Sequence, residues 1–314
     1  MNRRDFLNGT LAAAALAPVA RLWGGSADGK ELNKTGAGKM KLAELPEYGI
    51  IDAHMHPYLA KDRNFAFHVP ETFEEFFSVQ ERAGIRFSCG SFNIKDAGRD
   101  PEKLLLCNRK VLSVFQRYPK RFYPGVNVSP LLPELSCREI EKFHDIGFRW
   151  IGELAWYFMG YEKYNLPGMR PICDLAEQFD MPVCIHPSTL EDMDSLLTGF
   201  PGVRFVVAHP ESPWGIPAMY DLARKHSNMY LDLSGSGLFR MGMLRRGVEL
   251  LGAERILFGT DYPICNPGMN VAGVLFEDLG ERETRLILRD NFLNLIGQGT
   301  KTVRGASCPG QIPL

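Results

Sequence analysis

With 314 residues, 36 Lys+Arg against 37 Asp+Glu and a net charge of −1, the chain lacks the basic excess that nucleic-acid phosphates or an anionic membrane surface would demand. Its 45% hydrophobic and 23% charged residues are an ordinary globular balance, which excludes a disordered or fibrous chain. Seven cysteines occur without any C-x-x-C spacing and read as small core residues, not as a disulfide framework.

Residues 1–27 read as an export signal. Met1 to Ala20 sets Arg3-Arg4 before Phe6-Leu7 and a short Ala-rich run, well below the stretch of about 20 apolar residues that crosses a bilayer. The arginine pair resembles the twin-arginine signal and implies delivery of a folded protein to the periplasm, with cleavage around Ala20 or after Gly25, Ser26 and Ala27. An uncleaved leader is the alternative. No cysteine lies near the cleavage region, so no lipoprotein or other stable membrane anchor is expected. Residues 28–45 form a polar linker, 46–299 one large domain, and 300–314 a Pro/Gly-containing tail.

Within the domain, apolar β-prone runs occur at Ile50 to His54, Arg86 to Phe92, Phe122 to Val128, Phe148 to Leu154, Pro182 to Ile185, Arg204 to Ala208, Met229 to Leu233 and Ile256 to Phe258. Amphipathic stretches lie between them, among them Pro101 to Tyr118, Glu134 to Asp145, Arg170 to Phe179, Ile216 to His226 and Met241 to Leu251. Gly84, Gly147, Gly202 and Gly252 fall where helices stop. Eight strand-then-helix units predict an α/β fold of the (β/α)8 TIM-barrel type, whose active site sits at the C-terminal ends of the strands.

That architecture gathers the chemistry-bearing residues. His54 and His56 close the first strand, two apart and so on one face. Glu153 closes the fourth, His186 the fifth, His209 the sixth and Asp261 the eighth. A lone strand-end histidine is usually a hydrogen-bonded core residue, but six such groups at one end of one barrel are costly to bury unless a metal compensates them. The nitrogen and carboxylate donors suit zinc first, with manganese, iron or nickel as alternatives, and one or two ions.

The motifs I-D-A-H-M-H-P, I-G-E-L, V-C-I-H-P, V-V-A-H-P and L-F-G-T-D-Y-P resemble the metal-dependent amidohydrolase superfamily, and within it the amidohydrolase-2 group of TIM-barrel hydrolases and decarboxylases. The resemblance spans Ile50 to about Ile296. It implies His54, His56, His186 and Asp261 as metal ligands, with His209 as a further ligand or as the base-activating histidine. Glu153 stands where other members carry a carbamylated lysine, as a glutamate does in the related TatD-like nucleases.

A bound divalent ion lowers the pKa of its water from 15.7 to about 7, and a positioned acid or base adds a factor of about 10² to 10⁴. Asp261 is placed to shuttle the proton and His209 to polarise a carbonyl. The expectation is a metal-dependent hydrolase cleaving a C–N or C–O bond (amide, lactone or ester) of a small molecule, Glu153 favouring hydrolysis. The alternatives are a non-oxidative decarboxylase of an aromatic or unsaturated acid and a non-catalytic metal-binding barrel. Homo-oligomerisation is left open. Asp52 reads as an orienting carboxylate, and Tyr58 to Glu71, with His68, as a lid. Trp156, Tyr157, Trp214 and Tyr262 are candidates for an aromatic pocket. Asp232 and Ser234 read as substrate contacts or a turn, and Arg240, Arg245 and Arg246 as a carboxylate clamp or an exposed helix face.

Overall fold

Strands buried on both faces of a parallel sheet need near-continuous apolar sequence, and the chain's apolar runs become eight such strands. The computed structural model describes residues 49–210, 215–235 and 240–298. The leader, the linker, the C-terminal tail and Trp214 lie outside the described residues.

Strand and helix alternate throughout. β1 (Ile50–Met55) leads to α1 (Phe73–Arg82), β2 (Ile85–Gly90) to α2 (Pro101–Arg117), β3 (Phe122–Pro124) to α3 (Pro133–Asp145), and β4 (Ile151–Leu154) to the short α4 (Trp156–Met159) and α5 (Met169–Gln178). Then β5 (Val183–Ile185) precedes α6 (Leu190–Gly199), β6 (Phe205–Val207) α7 (Ile216–Lys225), β7 (Met229–Asp232) α8 (Met243–Leu251), and β8 (Ile256–Leu257) α9 (Pro267–Leu275). Local chemistry starts the helices. Thr72 and Thr189 cap α1 and α6 through their hydroxyls, and Asp100 caps α2 ahead of a proline in its first turn.

All ladders are parallel, β1-β2-β3 in one run and β4 through β8 in another. Backbone hydrogen bonds close both gaps. On one side Val126 N donates to Trp150 O (2.9 Å) and Gly152 N to Val126 O (2.8 Å); on the other Ala53 N donates to Phe258 O (2.9 Å) and His56 N to Tyr262 O (2.8 Å). The result is the expected (β/α)8 barrel, in which the strand residues Leu154, Val183, Ile185, Phe205 and Val207 are all fully buried. β3 and β4 are shorter than the apolar runs containing them, because pairing between them passes to a single bridge, Val126 to Ile151. Cys89, Cys107, Cys173 and Cys184 are buried free thiols, as expected of small core residues. Among the described residues no helix is long and apolar enough to cross a membrane.

The barrel is tightest where Gly90 ends β2. A Cβ there would lie 1.9 Å from Met55 O and 2.8 Å from Met55 C, backbone atoms that cannot step aside. Gly90→Ala is therefore expected to destabilise the protein by about 2 kcal/mol or more. Urea unfolding checks this, and an unchanged midpoint would count against the close approach.

Candidate metal centre

β1 points Asp52, His54 and His56 to the barrel interior, all buried. The chain leaving β8 wraps their strand end: Thr260 N and Asp261 N both donate to His54 O, at 3.1 and 2.8 Å. This sets Asp261 beside the two histidines, with Oδ1 3.4 Å from His56 Nε2. Asp52 ties the same corner from beneath. Its carboxylate accepts from His54 N (3.1 Å), Thr260 N (3.0 Å) and Thr260 Oγ1 (2.5 Å), and burial pushes its pKa up to about 7. It is an orienting group, as expected, and not a ligand.

Glu153 is the centre of the site. It is 4% exposed, and its carboxylate faces four imidazoles: Oε2 is 3.6 Å from His54 Nε2 and 3.4 Å from His56 Nε2, while Oε1 is 2.9 Å from His186 Nδ1 and 3.3 Å from His209 Nε2. Burial alone would lift the Glu153 pKa, but His54 and the hydrogen-bonding histidines outweigh it and hold it well below the usual range. The converse holds for its partners. Burial lowers His54 and His56, yet Asp232 and Glu153 lift His54 well above its ordinary value, and Asp261 and Glu153 carry His56 up to about 9.

Outer partners decide which imidazole nitrogens face inward. His54 Nδ1 lies 2.6 Å from Asp232 Oδ2 and His56 Nδ1 2.9 Å from Ser91 O. Both oxygens accept only, so each Nδ1 donates and, in the neutral ring, each Nε2 turns a lone pair to the centre. His209 Nδ1 rests on Ser234 Oγ at 3.0 Å. Gly259 permits this crowding, since a Cβ there would stand 2.2 Å from Asp232 Oδ1 and 2.8 Å from His54 Cβ.

Two donor sets converge within 4.8 Å: His54, His56 and Asp261, and His54, Glu153 and His209. His54 Nε2 and Asp261 Oδ1 are buried there without a hydrogen-bond partner, which is the condition a cation relieves. The residues fit a divalent ion. A third grouping, His54, Cys184 and Asp232, does not. Its carboxylate is 2.6 Å from His54 Nδ1, so these two are already paired with each other through the nitrogen that faces away from the centre. His186 reaches the centre through Glu153 and belongs to neither donor set.

The centre opens into a cavity of about 440 Å³ whose walls include Arg63, Asn93, Tyr157, Phe158, Ile264 and Cys265. Several expectations change here. His68 does not reach the cavity; it is exposed and faces Glu75, while Arg63 of the same loop lines the wall, its guanidinium 4.9 Å from the Phe158 ring centre. Tyr157 lines the cavity edge-on to His186, whereas Trp156 bonds Pro187 O and Tyr262 packs 4.5 Å from Phe76 outside this cavity. Arg245 is bound to Glu277 O and Arg246 to Glu249, as a helix face requires. Asp232 and Ser234 hold histidines. Arg63, Asn93 and Ser91 were not singled out in the sequence: Arg63 lies within the stretch read as a lid, Ser91 inside and Asn93 just after the apolar run Arg86 to Phe92, and none belongs to a metal-type motif.

A family profile described as Amidohydrolase matches residues 51–292. The gamma-resorcylate decarboxylase of Polaromonas sp. (strain JS666 / ATCC BAA-500) is 24% identical over 230 residues, 55% of this chain and 69% of that protein. The crystal structure of 2,6-dihydroxybenzoate decarboxylase from Rhizobium superposes with a TM-score of 0.64 at 17% identity, covering 79% of this chain and 98% of that one. A dihydroxybenzoic acid decarboxylase from Polaromonas sp. JS666, with bound manganese and the inhibitor 2-nitroresorcinol, gives 0.61 at 19% identity, covering 79% and 97%. These findings overturn the hydrolase expectation, since the similar proteins are decarboxylases. Glu153 was a poor discriminator for a physical reason: a carboxylate gripped by four imidazoles has a place in the centre whichever bond is cleaved.

Two outcomes follow from the centre. Asp232→Asn, which keeps the shape but weakens the grip on His54, should cost about 10- to 100-fold in divalent-metal affinity, measured by competition with a chromogenic chelator. In metal-free protein, the folded His56 pKa of about 9 lies above its unfolded value of 6.5. The stability it contributes is fully present below pH 6.5 and lost as pH rises through about 9. The metal-free melting temperature should accordingly fall across that window while metal affinity rises, because protons and metal compete for the same nitrogens. A flat profile in both would contradict the assignment.

Proposed function

Because this chain belongs to the amidohydrolase family, we propose that it is a metal-dependent, non-oxidative decarboxylase of a small aromatic carboxylic acid. The observation that carries the reading is the match to gamma-resorcylate decarboxylase over 230 residues, 55% of this chain, beside the convergent histidines and carboxylates of the centre. The cavity is consistent with it. Tyr157, Phe158 and Ile264 offer flat apolar surface to a ring, and Arg63 is the one guanidinium or ammonium among the described residues lining it.

His54, His56 and Asp261 would hold the ion, with Glu153, His209 and His186 beside them. Both donor sets share His54, so a single ion suffices. Manganese is placed ahead of zinc, because a neighbouring structure carries it and the carboxylate oxygens suit it. A divalent ion bound there supplies fixed positive charge that orients an anionic acid and stabilises negative charge on its oxygens.

The chain's own residues do the rest. Arg63 steers the carboxylate into the cavity and Tyr157 covers the ring. Decarboxylation replaces the carboxylate with a proton: the proton adds to the ring carbon bearing the carboxylate, the electron pair of the breaking C–C bond returns to the ring, and carbon dioxide leaves. Asp261 is assigned as proton donor through the carboxylate oxygen not given to the ion, since the residue lines the cavity where the ring would sit. His209, held by Ser234 and Glu153, presents its ring to the substrate oxygens. Solvent reprotonates Asp261 after each turnover.

Manganese-reconstituted full-length protein should release carbon dioxide from hydroxylated benzoic acids. Asp261→Asn should reduce kcat by about 10² to 10⁴, with metal content measured alongside. If no aromatic acid yields carbon dioxide at any metal loading, the reading is wrong.

A further inference from the structure

Three asparagines lie in series behind the cavity wall: Asn108 in α2, Asn127 just past β3 and Asn93 just past β2, all buried. Their amide orientations follow from which neighbours can only accept. Glu139, a buried carboxylate on α3, accepts from Asn108 Nδ2 at 2.9 Å; the same nitrogen donates to Asn127 O (3.1 Å), and Asn108 Oδ1 accepts from Asn127 N (2.8 Å). The backbone of Asn127 is thereby held. Its side chain faces Phe92 O, an acceptor, so the nitrogen must be on that side, and Nδ2 donates to Phe92 O at 2.8 Å. The second hydrogen of that Nδ2 goes to Asn93 at 2.7 Å, which makes the receiving atom Asn93 Oδ1.

Asn93 therefore has no freedom left. Its oxygen is taken by Asn127, its carbonyl accepts from Tyr58 Oη at 2.9 Å, and its N–H donates to the same Oη at 3.1 Å. Its amide NH₂ is the remaining group. Asn93 lines the cavity, and among the described residues no acceptor is hydrogen-bonded to that nitrogen. Turning the amide over would set two NH₂ groups against each other and lose the 2.7 Å bond.

We infer that Asn93 is a specificity-determining residue: its amide NH₂, held in one sense at the cavity wall, donates a hydrogen bond to an oxygen substituent on the substrate ring and so discriminates an oxygen at that ring position from an isosteric methyl group. Asn127 is the positioning residue that fixes the donor sense. The inference rests on the decarboxylase reading and deepens it, because adding a proton to a ring carbon requires an electron-rich ring, and ring oxygens supply that density. A site built with a fixed donor also rejects analogues that leave the donor unpaired.

The test is calorimetric binding of hydroxy-, methoxy- and methyl-substituted benzoates, at each ring position, to manganese-loaded full-length protein and its variants, with folding checked by circular dichroism. Wild type should bind the best hydroxy and methoxy acids about 10- to 100-fold more tightly than the methyl isostere. Asn93→Leu should erase that preference while leaving the methyl acid within about threefold of its wild-type affinity. Asn127→Asp, protonated in its buried setting and donating to Phe92 O, should let the Asn93 amide turn over. The cavity then offers an acceptor, so the hydroxy acid still binds and the methoxy acid no longer does. Equal loss for oxygenated and methyl acids in Asn93→Leu, or a preference that survives it, overturns the inference and leaves the decarboxylase reading standing. Should Asn127→Asp not fold, the Asn93→Leu series decides alone. Wild type that binds no aromatic acid at all overturns both.

Discussion

A carboxylate buried among four imidazoles organises this molecule. Glu153 cannot keep its charge in a water-poor setting unless positive charge surrounds it, and His54, His56, His186 and His209 come from β1 and the ends of β5 and β6 to supply it. Protons on histidines and a divalent ion are alternative ways of meeting the same demand. The barrel's contribution is geometric. Closing the sheet through Val126–Trp150 on one side and Ala53–Phe258 on the other makes strand ends distant in sequence into neighbours.

Around that centre lies a shell of groups whose work is orientation. Asp232, the Ser91 carbonyl and Ser234 take the outward nitrogens of three histidines, and Asp52 binds backbone N–H groups from both β1 and the β8 exit. Side chains held at two points lose little further freedom when ligand binds, so donor placement is set at folding and not at binding. The asparagine series beside the cavity follows the same logic on the substrate side.

Much of this was legible from residues alone. Parallel strands buried on both faces leave continuous apolar runs, so all eight appeared, along with the helices α2, α3, α5, α7 and α8. Strand ends were less legible: β3 stops at Pro124 because its partner's register, and not its own sequence, ends the ladder. Metal-type residues stood out because a histidine or carboxylate ending an apolar run is conspicuous. Asn93 and Arg63 were not, since a loop asparagine or arginine acquires meaning only from what the fold sets opposite it. The choice between hydrolysis and decarboxylation was illegible for a related reason. The ligand set serves either reaction.

His209 and Asp261 both adopt left-handed backbone conformations, with φ of 49° and 61°. Aspartate and asparagine occupy that region at modest cost, alanine less readily and β-branched residues poorly. Alanine scanning at these two positions would thus read out two quantities at once, the missing side-chain chemistry and a main chain relieved of or pressed into strain. The two can be separated by comparing replacements of matched backbone preference, asparagine against glycine, because each leaves the turn intact while differing in what it offers the centre.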